Sequence, residues 1–339
     1  MNVDHWIREI IDSRERCTIP IMTHPGIEMI GATVKEAVQS GKTHARAIYE
    51  LSRKYPSKAA TVIMDLTVEA EAFGCSIAFT DHDMPHILGH LVDIEGVEAL
   101  QVPPLMTARI PEYIEANRLA SSMIKDRPVF AGAIGPFSLA GRLLGMSEIM
   151  VSCYLDPDAV ALLLDKCSRF LTDYCLMLKQ TGCAGVILAE PAAGLLSNDD
   201  CMRFSSIYVK GIIDKIQDES FMVILHNCGN MGQCTDAMLH TGAKAYHFGN
   251  AMVMTEALSH CPPDVLVMGN IDPVGVLRMM PPEKIANEVN SLLEQTAGYP
   301  NFVLSTGCDV PPGVPEANIQ AYYQALAVYN RKRKSDDRL

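Results

Sequence analysis

Eight short apolar runs, most of them followed by a helix-forming segment, constrain this sequence more than any other feature. The runs lie at residues 19–22, 60–64, 129–134, 185–188, 221–225, 243–248, 265–268 and 302–305. Strands that alternate with helices form parallel sheets. Eight such repeats in a chain of 339 residues predict a (β/α)8 TIM barrel, an α/β fold. An open doubly wound sheet is the alternative, and it would also gather ligands at its strand ends.

The barrel is predicted to carry an insertion after its second strand, where the pattern becomes mixed. Within it, residues 76–79 are typical of one strand of a hairpin. His82, His86 and His90 are spaced four residues apart, as metal ligands on one helix would be. Pro85 interrupts any such helix because it lacks an N–H and clashes with the preceding turn. We therefore predict no metal site in the insertion.

Composition and charge limit the function classes. We predict one domain over residues 1–330 and a polar C-terminal tail over residues 331–339. The net charge of −12 repels phosphate backbones, which argues against a nucleic-acid partner. No apolar run approaches the roughly 20 residues that span a bilayer, so we expect no membrane association. The sequence starts without a secretory signal pattern, and its eleven cysteines are irregularly spaced, so we expect a cytoplasmic protein.

The best candidate for a functional site is the His-x-Cys motif of His226 and Cys228, together with Cys308. Residues two apart on a strand project from the same face, so His226 and Cys228 point to one place. Cys308 joins them if the two strands end on the same rim. One imidazole and two thiolates are typical of Zn²⁺, and three protein ligands leave a fourth position open for catalysis. The simpler alternative is that these cysteines pack as small hydrophobic side chains.

Further polar residues follow the other predicted strands, and the active site of a TIM barrel lies at the C-terminal rim. These residues are His24, Asp65, Glu190, Asn250, Asn270 and Asp272. For Asp65, an alternative role is to cap the helix that follows it.

Three stretches resemble the uroporphyrinogen decarboxylase superfamily, and the resemblance extends over nearly the full chain. They are residues 64–74, 132–137 and 269–273. Decarboxylases of this superfamily carry a Met-Arg-Gln-Ala-Gly-Arg signature near the N-terminus, which holds the carboxylates of the substrate. The corresponding stretch here, residues 21–28, contains no arginine. This departure counts against a porphyrinogen substrate, whose many carboxylates need cationic partners.

The motif of His226 and Cys228 with Cys308 is similar to the zinc motif of methylcobamide:coenzyme M methyltransferases and their bacterial relatives. The resemblance implies that these three residues bind Zn²⁺. It also implies transfer of a methyl group from a methylcobamide, carried by a separate corrinoid protein, to a small-molecule acceptor. That acceptor is a thiol such as coenzyme M, or another compound such as tetrahydrofolate. The alternatives are a decarboxylase and a non-catalytic protein that binds a corrinoid or a metal.

The other rim residues also have expected roles. Glu190 is predicted to be catalytic, either as a resting fourth zinc ligand or as the group that orients the acceptor. Asp65 matches the rim aspartate of the superfamily and is the second predicted catalytic residue. Asn270, Asp272 and His24 are predicted to bind the methylcobamide co-substrate.

Overall fold

A computed structural model describes residues 1–336. Its strands form one curled, seven-stranded parallel sheet and a separate two-stranded hairpin. In sheet order the seven strands are β1 Ala60–Thr61, β4 Val129–Ile134, β5 Gly185–Ala189, β6 Met222–Asn227, β7 Ala245–Phe248, β8 Leu266–Ile271 and β9 Phe302–Thr306. All neighbouring pairs in this sheet are parallel. The barrel fold predicted from the alternating pattern is confirmed.

The eighth position of the barrel is filled by the segment predicted as the first strand, residues 19–22, but without a continuous ladder. Thr18 makes an isolated parallel bridge with Leu304 in β9. On its other side, the N–H of Lys58 donates to the Thr18 carbonyl at 2.8 Å, just before β1. Pro20 has no N–H to donate, so the ladder cannot continue through it. The segment therefore closes the barrel through a few bonds to both neighbouring strands.

Helices connect the strands on the outside of the sheet. Within the described residues they are α1 Val3–Ile11, α2 His24–Met29, α3 Val34–Gln39, α4 Gly41–Lys54, α5 Val68–Phe73, α6 Ile110–Met123, α7 Pro136–Leu144, α8 Met146–Leu155, α9 Pro157–Gln180, α10 Asn198–Cys201, α11 Ile207–Ile216, α12 Thr235–His240, α13 Met254–His260, α14 Pro282–Gln295 and α15 Glu316–Asp336. A π-helical turn, Met202–Ser206, joins α10 to α11. None of the described helices is long and apolar enough to cross a membrane.

Two hydrophobic cores follow from the alternation of side chains along the strands. The outer core packs the helices against the outside of the sheet. The inner core fills the barrel with inward-facing residues, including Phe130, Ile187, Ile224, Met268 and Val303. The buried face of α1 belongs to this inner core, and the ring of Trp6 lies 5.7 Å from that of Phe130. Since α1 covers the N-terminal end of the barrel, the C-terminal end of the barrel is the accessible mouth.

The insertion predicted after the second strand is present: it follows β1, the second predicted strand, and the short helix α5. It contains an antiparallel hairpin of β2 Ile77–Ala78 and β3 His86–Ile87. Among the described residues, the three histidines of the insertion do not form a group of metal ligands.

The polar tail predicted for residues 331–339 is, as far as Asp336, the last part of α15. Its lysines and arginines are good helix formers and suit the negative end of the helix dipole. The remaining three residues of that predicted tail lie outside the described part of the chain.

Candidate metal centre and active site

Strand β6 carries two of the three predicted metal ligands to the mouth of the barrel. Met222 and Ile224 face the inner core, so His226 continues the same inward row at the end of the strand. Asn227 then turns the chain, because its side-chain oxygen accepts a hydrogen bond from Gly229 N–H at 3.1 Å. The sulfur of Cys228 thereby lies within 4.8 Å of a ring nitrogen of His226.

Cys308 reaches the same place from the end of β9, and two glycines allow the approach. A Cβ on Gly307 would lie 2.4 Å from the backbone nitrogen of Asn250. A Cβ on Gly249 would lie 2.4 Å from the carbonyl oxygen of Cys228. The loops after β6, β7 and β9 can therefore pack backbone to backbone only because these positions lack side chains.

His226, Cys228 and Cys308 bring one nitrogen and two sulfurs within 4.8 Å of one another. The sulfur of Cys308 lies 4.0 Å from Nε2 of His226. A tetrahedral zinc site would separate such donor atoms by about 3.6 to 3.8 Å, so a small contraction is enough. His226 is buried and both cysteines are half-buried. The three donor atoms thus fit Zn²⁺, and they leave the fourth ligand position to be filled from the mouth.

The two thiols lie close enough to shift each other's pKa. The neighbouring Cys308 thiol lowers the pKa of Cys228 to about 7, against the effect of burial. The neighbouring Cys228, followed by burial, raises the pKa of Cys308 to about 12. Cys228 is therefore the thiol of the pair that loses its proton more readily. A thiolate is the form that binds metals.

His226 has a second buried partner that the sequence did not single out, His247 in β7. The two residues are paired in register on neighbouring strands, and their Nδ1 atoms lie 2.8 Å apart. Nε2 of His247 lies 2.8 Å from Oγ of Ser305 in β9. Burial, and then the neighbouring His226, holds the pKa of His247 well below its usual value. The inward alternation of β7 and β9 was the sequence signal that could have identified His247 and Ser305.

Glu190, the predicted fourth ligand, lies in a different environment from the three ligands. Val186 and Leu188 face the outer core, and Glu190 follows them in the same outward row. Its carboxylate accepts hydrogen bonds at the N-terminus of α7 and from the π-helical turn. The donors are the N–H groups of Phe137 and Ser138 and the hydroxyls of Ser138 and Ser205, at 2.6 to 3.3 Å. Burial raises the pKa of Glu190 to about 7 despite these donors.

Asp65 is also occupied by partners within the protein. Its carboxylate forms an ion pair of 2.5 Å with Arg109 and accepts from Tyr113 at 3.1 Å. It also accepts hydrogen bonds from the N–H and the hydroxyl of Thr67, and these two bonds form a turn just before α5. Arg109 was not predicted, and a second ion pair of 2.5 Å joins it to Glu71. Arg109 is therefore neutralised by two carboxylates.

Asn270 and Asp272 hold the loops after β7 and β8. The amide of Asn270 donates to the carbonyls of Gly249 and Met252, at 2.9 and 2.6 Å. One oxygen of Asp272 accepts from the N–H groups of Val274 and Gly275, and the other accepts from Asn250. Both residues thus fix the loops around the predicted metal ligands. That they bind the methylcobamide co-substrate stays a prediction.

His24 lies at the start of α2, beside the residue that follows Cys308. Thr23 donates to Asp309 at 2.8 Å, and burial raises the pKa of Asp309 to about 6, although His24 opposes this effect. Nδ1 of His24 and Oδ1 of Asp309 are buried and have no hydrogen-bond partner among residues 1–336. His24 is thus near the metal ligands, and its predicted role in binding the co-substrate stays a prediction.

Fold and site together define a TIM barrel whose rim carries a His-Cys-Cys group. The chain belongs to the uroporphyrinogen decarboxylase (URO-D) family, whose model matches residues 19–329. It is 28% identical over 277 residues to the methylcobamide:CoM methyltransferase MtbA of Methanosarcina acetivorans, which covers 80% of each chain. It is 27% identical over 293 residues to the uroporphyrinogen decarboxylase of Salmonella paratyphi B, which covers 82% of each.

A solved structure of a methyltransferase from Methanosarcina mazei has the same fold, with a TM-score of 0.86. It is 22% identical and covers 97% of this chain and 99% of its own. The resemblance to the superfamily, including its methyltransferase branch, is confirmed. Because the identities to a methyltransferase and to a decarboxylase are nearly equal, the choice between them depends on the residues of the rim.

Proposed function

We propose that this protein is a zinc-dependent methyltransferase that moves a methyl group from a methylated corrinoid to a thiol acceptor. The observation that carries the proposal is the convergence of His226, Cys228 and Cys308 at the barrel mouth, with ligand atoms within 4.8 Å of one another. The relatedness to methylcobamide:CoM methyltransferases supports the same reaction class.

The chain would hold the metal with Nε2 of His226 and the sulfurs of Cys228 and Cys308. Zn²⁺ bound there would act as a Lewis acid that favours the thiolate form of an acceptor near neutral pH. The acceptor thiol loses its proton to solvent, and its sulfur forms a bond to the methyl carbon. The carbon–cobalt bond breaks with its electron pair on cobalt, which leaves cob(I)amide and a methyl thioether.

Both cysteines are half-buried, so each is partly exposed at the rim, where an acceptor could approach. Glu190 could reach such a position only by giving up its hydrogen bonds with α7 and the π-helical turn. We therefore expect it to act on the site by ordering the α7 N-terminus, and its catalytic role stays a prediction. Asp65, neutralised by Arg109, would likewise shape the rim.

The donor is proposed to be presented by a corrinoid protein that docks on the mouth. Large apolar side chains are exposed on the loops directly after β5, β6, β7 and β8, at the C-terminal ends of these strands. They include Leu195, Met231, Val253 and Val274. Apolar side chains gathered around a functional opening are typical of a partner surface.

The alternative of a decarboxylase is less well supported by the rim. The segment at residues 21–28 has no arginine, and Arg109 is already paired with Asp65 and Glu71. A non-catalytic corrinoid- or metal-binding protein would have the same metal ligands but no turnover. A functional assay separates these possibilities.

The test is to load the purified protein with zinc and incubate it with methylcobalamin and a panel of acceptors. The panel contains coenzyme M, other small thiols and tetrahydrofolate, and the appearance of cob(I)alamin is followed by absorbance without oxygen. We expect zinc-dependent turnover with at least one thiol. Cys228→Ser should abolish it, whereas Cys17→Ser, at a half-buried cysteine outside the group, should not. Decarboxylation of uroporphyrinogen, or zinc binding without any methyl transfer, would overturn the proposal.

A further inference from the structure

The inner row of side chains changes character at the top of the barrel. The layers below are apolar, as in Ile224, Met268 and Val303. The top layer instead contains His226 and His247, which are 3% and 0% exposed, and Ser305, also 0% exposed. Three polar side chains in a fully buried layer need complete hydrogen bonding, because an unpaired polar group there is costly.

The hydrogen bonds of this layer can be assigned by counting donors. Oγ of Ser305 lies 2.7 Å from the carbonyl oxygen of Ile19, which can only accept, so the Ser305 hydroxyl donates its single proton there. The bond of 2.8 Å between Ser305 and His247 must then use the N–H at Nε2 of His247. Ser305 therefore fixes the position of the His247 proton.

The same count of donors determines which ring nitrogen of His226 carries the proton. His247 is buried and no carboxylate is among its hydrogen-bond partners, so it is a neutral imidazole with a single N–H. Since that N–H is at Nε2, Nδ1 of His247 has only a lone pair. The 2.8 Å contact between the two Nδ1 atoms then requires His226 to donate from Nδ1. Nε2 of His226, 4.0 Å from the Cys308 sulfur, is left as a lone pair.

We propose that His247 and Ser305, ending on the Ile19 carbonyl, form a tautomer relay that makes Nε2 of His226 a metal ligand. The relay is built before any metal binds, and its use for zinc rests on the function proposed above. His247 and Ser305 are positioning residues, because they act on the metal only through His226. Partners of this kind set the tautomer and orientation of a ligating histidine, and their loss typically costs about 10- to 100-fold in metal affinity.

The first measurement is made on metal-free protein. Nitrogen-15 NMR of protein labelled at histidine distinguishes an imidazole protonated at Nδ1 from one protonated at Nε2. We expect His226 to carry its proton on Nδ1 in the wild type and to lose this preference in His247→Phe. Ser305→Ala, a milder change, should shift the same signals in the same direction. A His226 that is protonated at Nε2 in the wild type would overturn the relay.

The second measurement is zinc affinity by competition with a chelator. His247→Phe should bind zinc about 10- to 100-fold more weakly, and Ser305→Ala up to about tenfold more weakly. His247→Gln should recover much of the loss, because its side-chain oxygen can accept from Nδ1 of His226. His44→Phe is the control: His44 is also buried and accepts from the N–H of Ile63 at 2.9 Å, but it is not in this layer. Wild-type affinity in His247→Phe, or an equal loss in His44→Phe, would contradict the relay.

The two proposals fail in different ways. If the wild-type protein bound no zinc at His226, the proposed function would be wrong. The NMR result on metal-free protein would still decide whether the relay sets the tautomer.

Discussion

Two polar clusters lie on the rim of this barrel, and they are built in opposite ways. In the closed cluster, Arg109 joins Asp65 and Glu71 through ion pairs of 2.5 Å, and the neighbouring hydroxyls complete the hydrogen bonds. In the open cluster, His226, Cys228 and Cys308 have ligand atoms that face one another. The closed cluster has satisfied its charges internally, whereas the open cluster keeps lone pairs for a ligand.

The difference explains how one family fold can serve two chemistries. An arginine that binds a substrate carboxylate must have a free face, whereas Arg109 directs four of its five N–H donors at protein acceptors and its side chain is only 8% exposed. A metal site needs donor atoms without competing partners, which the cysteines provide. On the function proposed above, the acidic and basic groups stabilise the rim, and the two sulfurs and one imidazole remain available to a metal.

The largest expected effect is the loss of metal in Cys308→Ser. The hydroxyl is a much poorer zinc ligand than a thiolate, so zinc content should fall from about one per chain to near zero. The free energy of unfolding of the metal-free protein should change by less than about 1 kcal/mol, because Cys308 is half-buried and serine is close to cysteine in size. Elemental analysis and urea unfolding measure the two quantities. Full zinc content in this variant would place the metal elsewhere.

The opposite result is expected for Arg109→Met, which breaks the closed cluster. It leaves the buried Asp65 carboxylate without its cation, which typically costs about 3–5 kcal/mol. Zinc content should stay near one per chain at temperatures where the variant is folded. Arg118→Met is a suitable control, since its pair with Glu115 is exposed and should contribute less than about 1 kcal/mol. An equal loss of stability in both variants would show that the closed cluster has no special role.

A smaller effect is expected at the glycines that bring the loops of the open cluster together. Gly307→Ala places a methyl group 2.4 Å from the Asn250 nitrogen, so the loop must move. We expect a loss of about 1–3 kcal/mol of stability and a weaker zinc affinity, because Cys308 is the next residue.

The control for that prediction is Gly298→Ala, where no atom lies within 4 Å of the added methyl group. It should change stability by less than about 0.5 kcal/mol and leave zinc affinity unchanged. If Gly307→Ala bound zinc as tightly as the wild type, the packing of the loops would not set the position of Cys308.

The part of the site that could be predicted from the sequence depended on local periodicity. The spacing of His226 and Cys228 implied a shared face, and the strand that precedes Cys308 implied a shared rim. The same alternation, applied to β5, would have placed Glu190 on the outward face, and applied to β7 it would have found His247. The pairing of Asp65 with Arg109 joins residues 44 positions apart, and no local pattern reports such a contact. The position of the first predicted strand, residues 19–22, was correct, but Pro20 interrupts the hydrogen bonds of that segment with its neighbouring strands.

Glu69 lies in α5 beside the closed cluster. One of its oxygens accepts from Ile134 N–H at 3.0 Å, while the other is buried without a partner in the described part of the chain. Burial raises its pKa from 4.5 to about 7. Between these values the folded protein holds a proton that the unfolded chain has released, so stability falls as pH rises through this window. Glu69→Gln keeps the acceptor but cannot ionise, so it should lack this fall.

Urea unfolding at several pH values measures the difference between Glu69→Gln and the wild type. The variant should gain stability relative to the wild type from pH 5 to pH 8, by about 1–3 kcal/mol for a shift of this size. Glu69→Ala also removes the charge, but it leaves the Ile134 N–H unpaired, so it should be less stable than Glu69→Gln at every pH. A difference between Glu69→Gln and the wild type that does not vary with pH would mean that Glu69 ionises normally. In that case the Glu69 carboxylate would not lower the free energy of unfolding as pH rises, and the closed cluster would tolerate a charge at Glu69 as well as at Asp65.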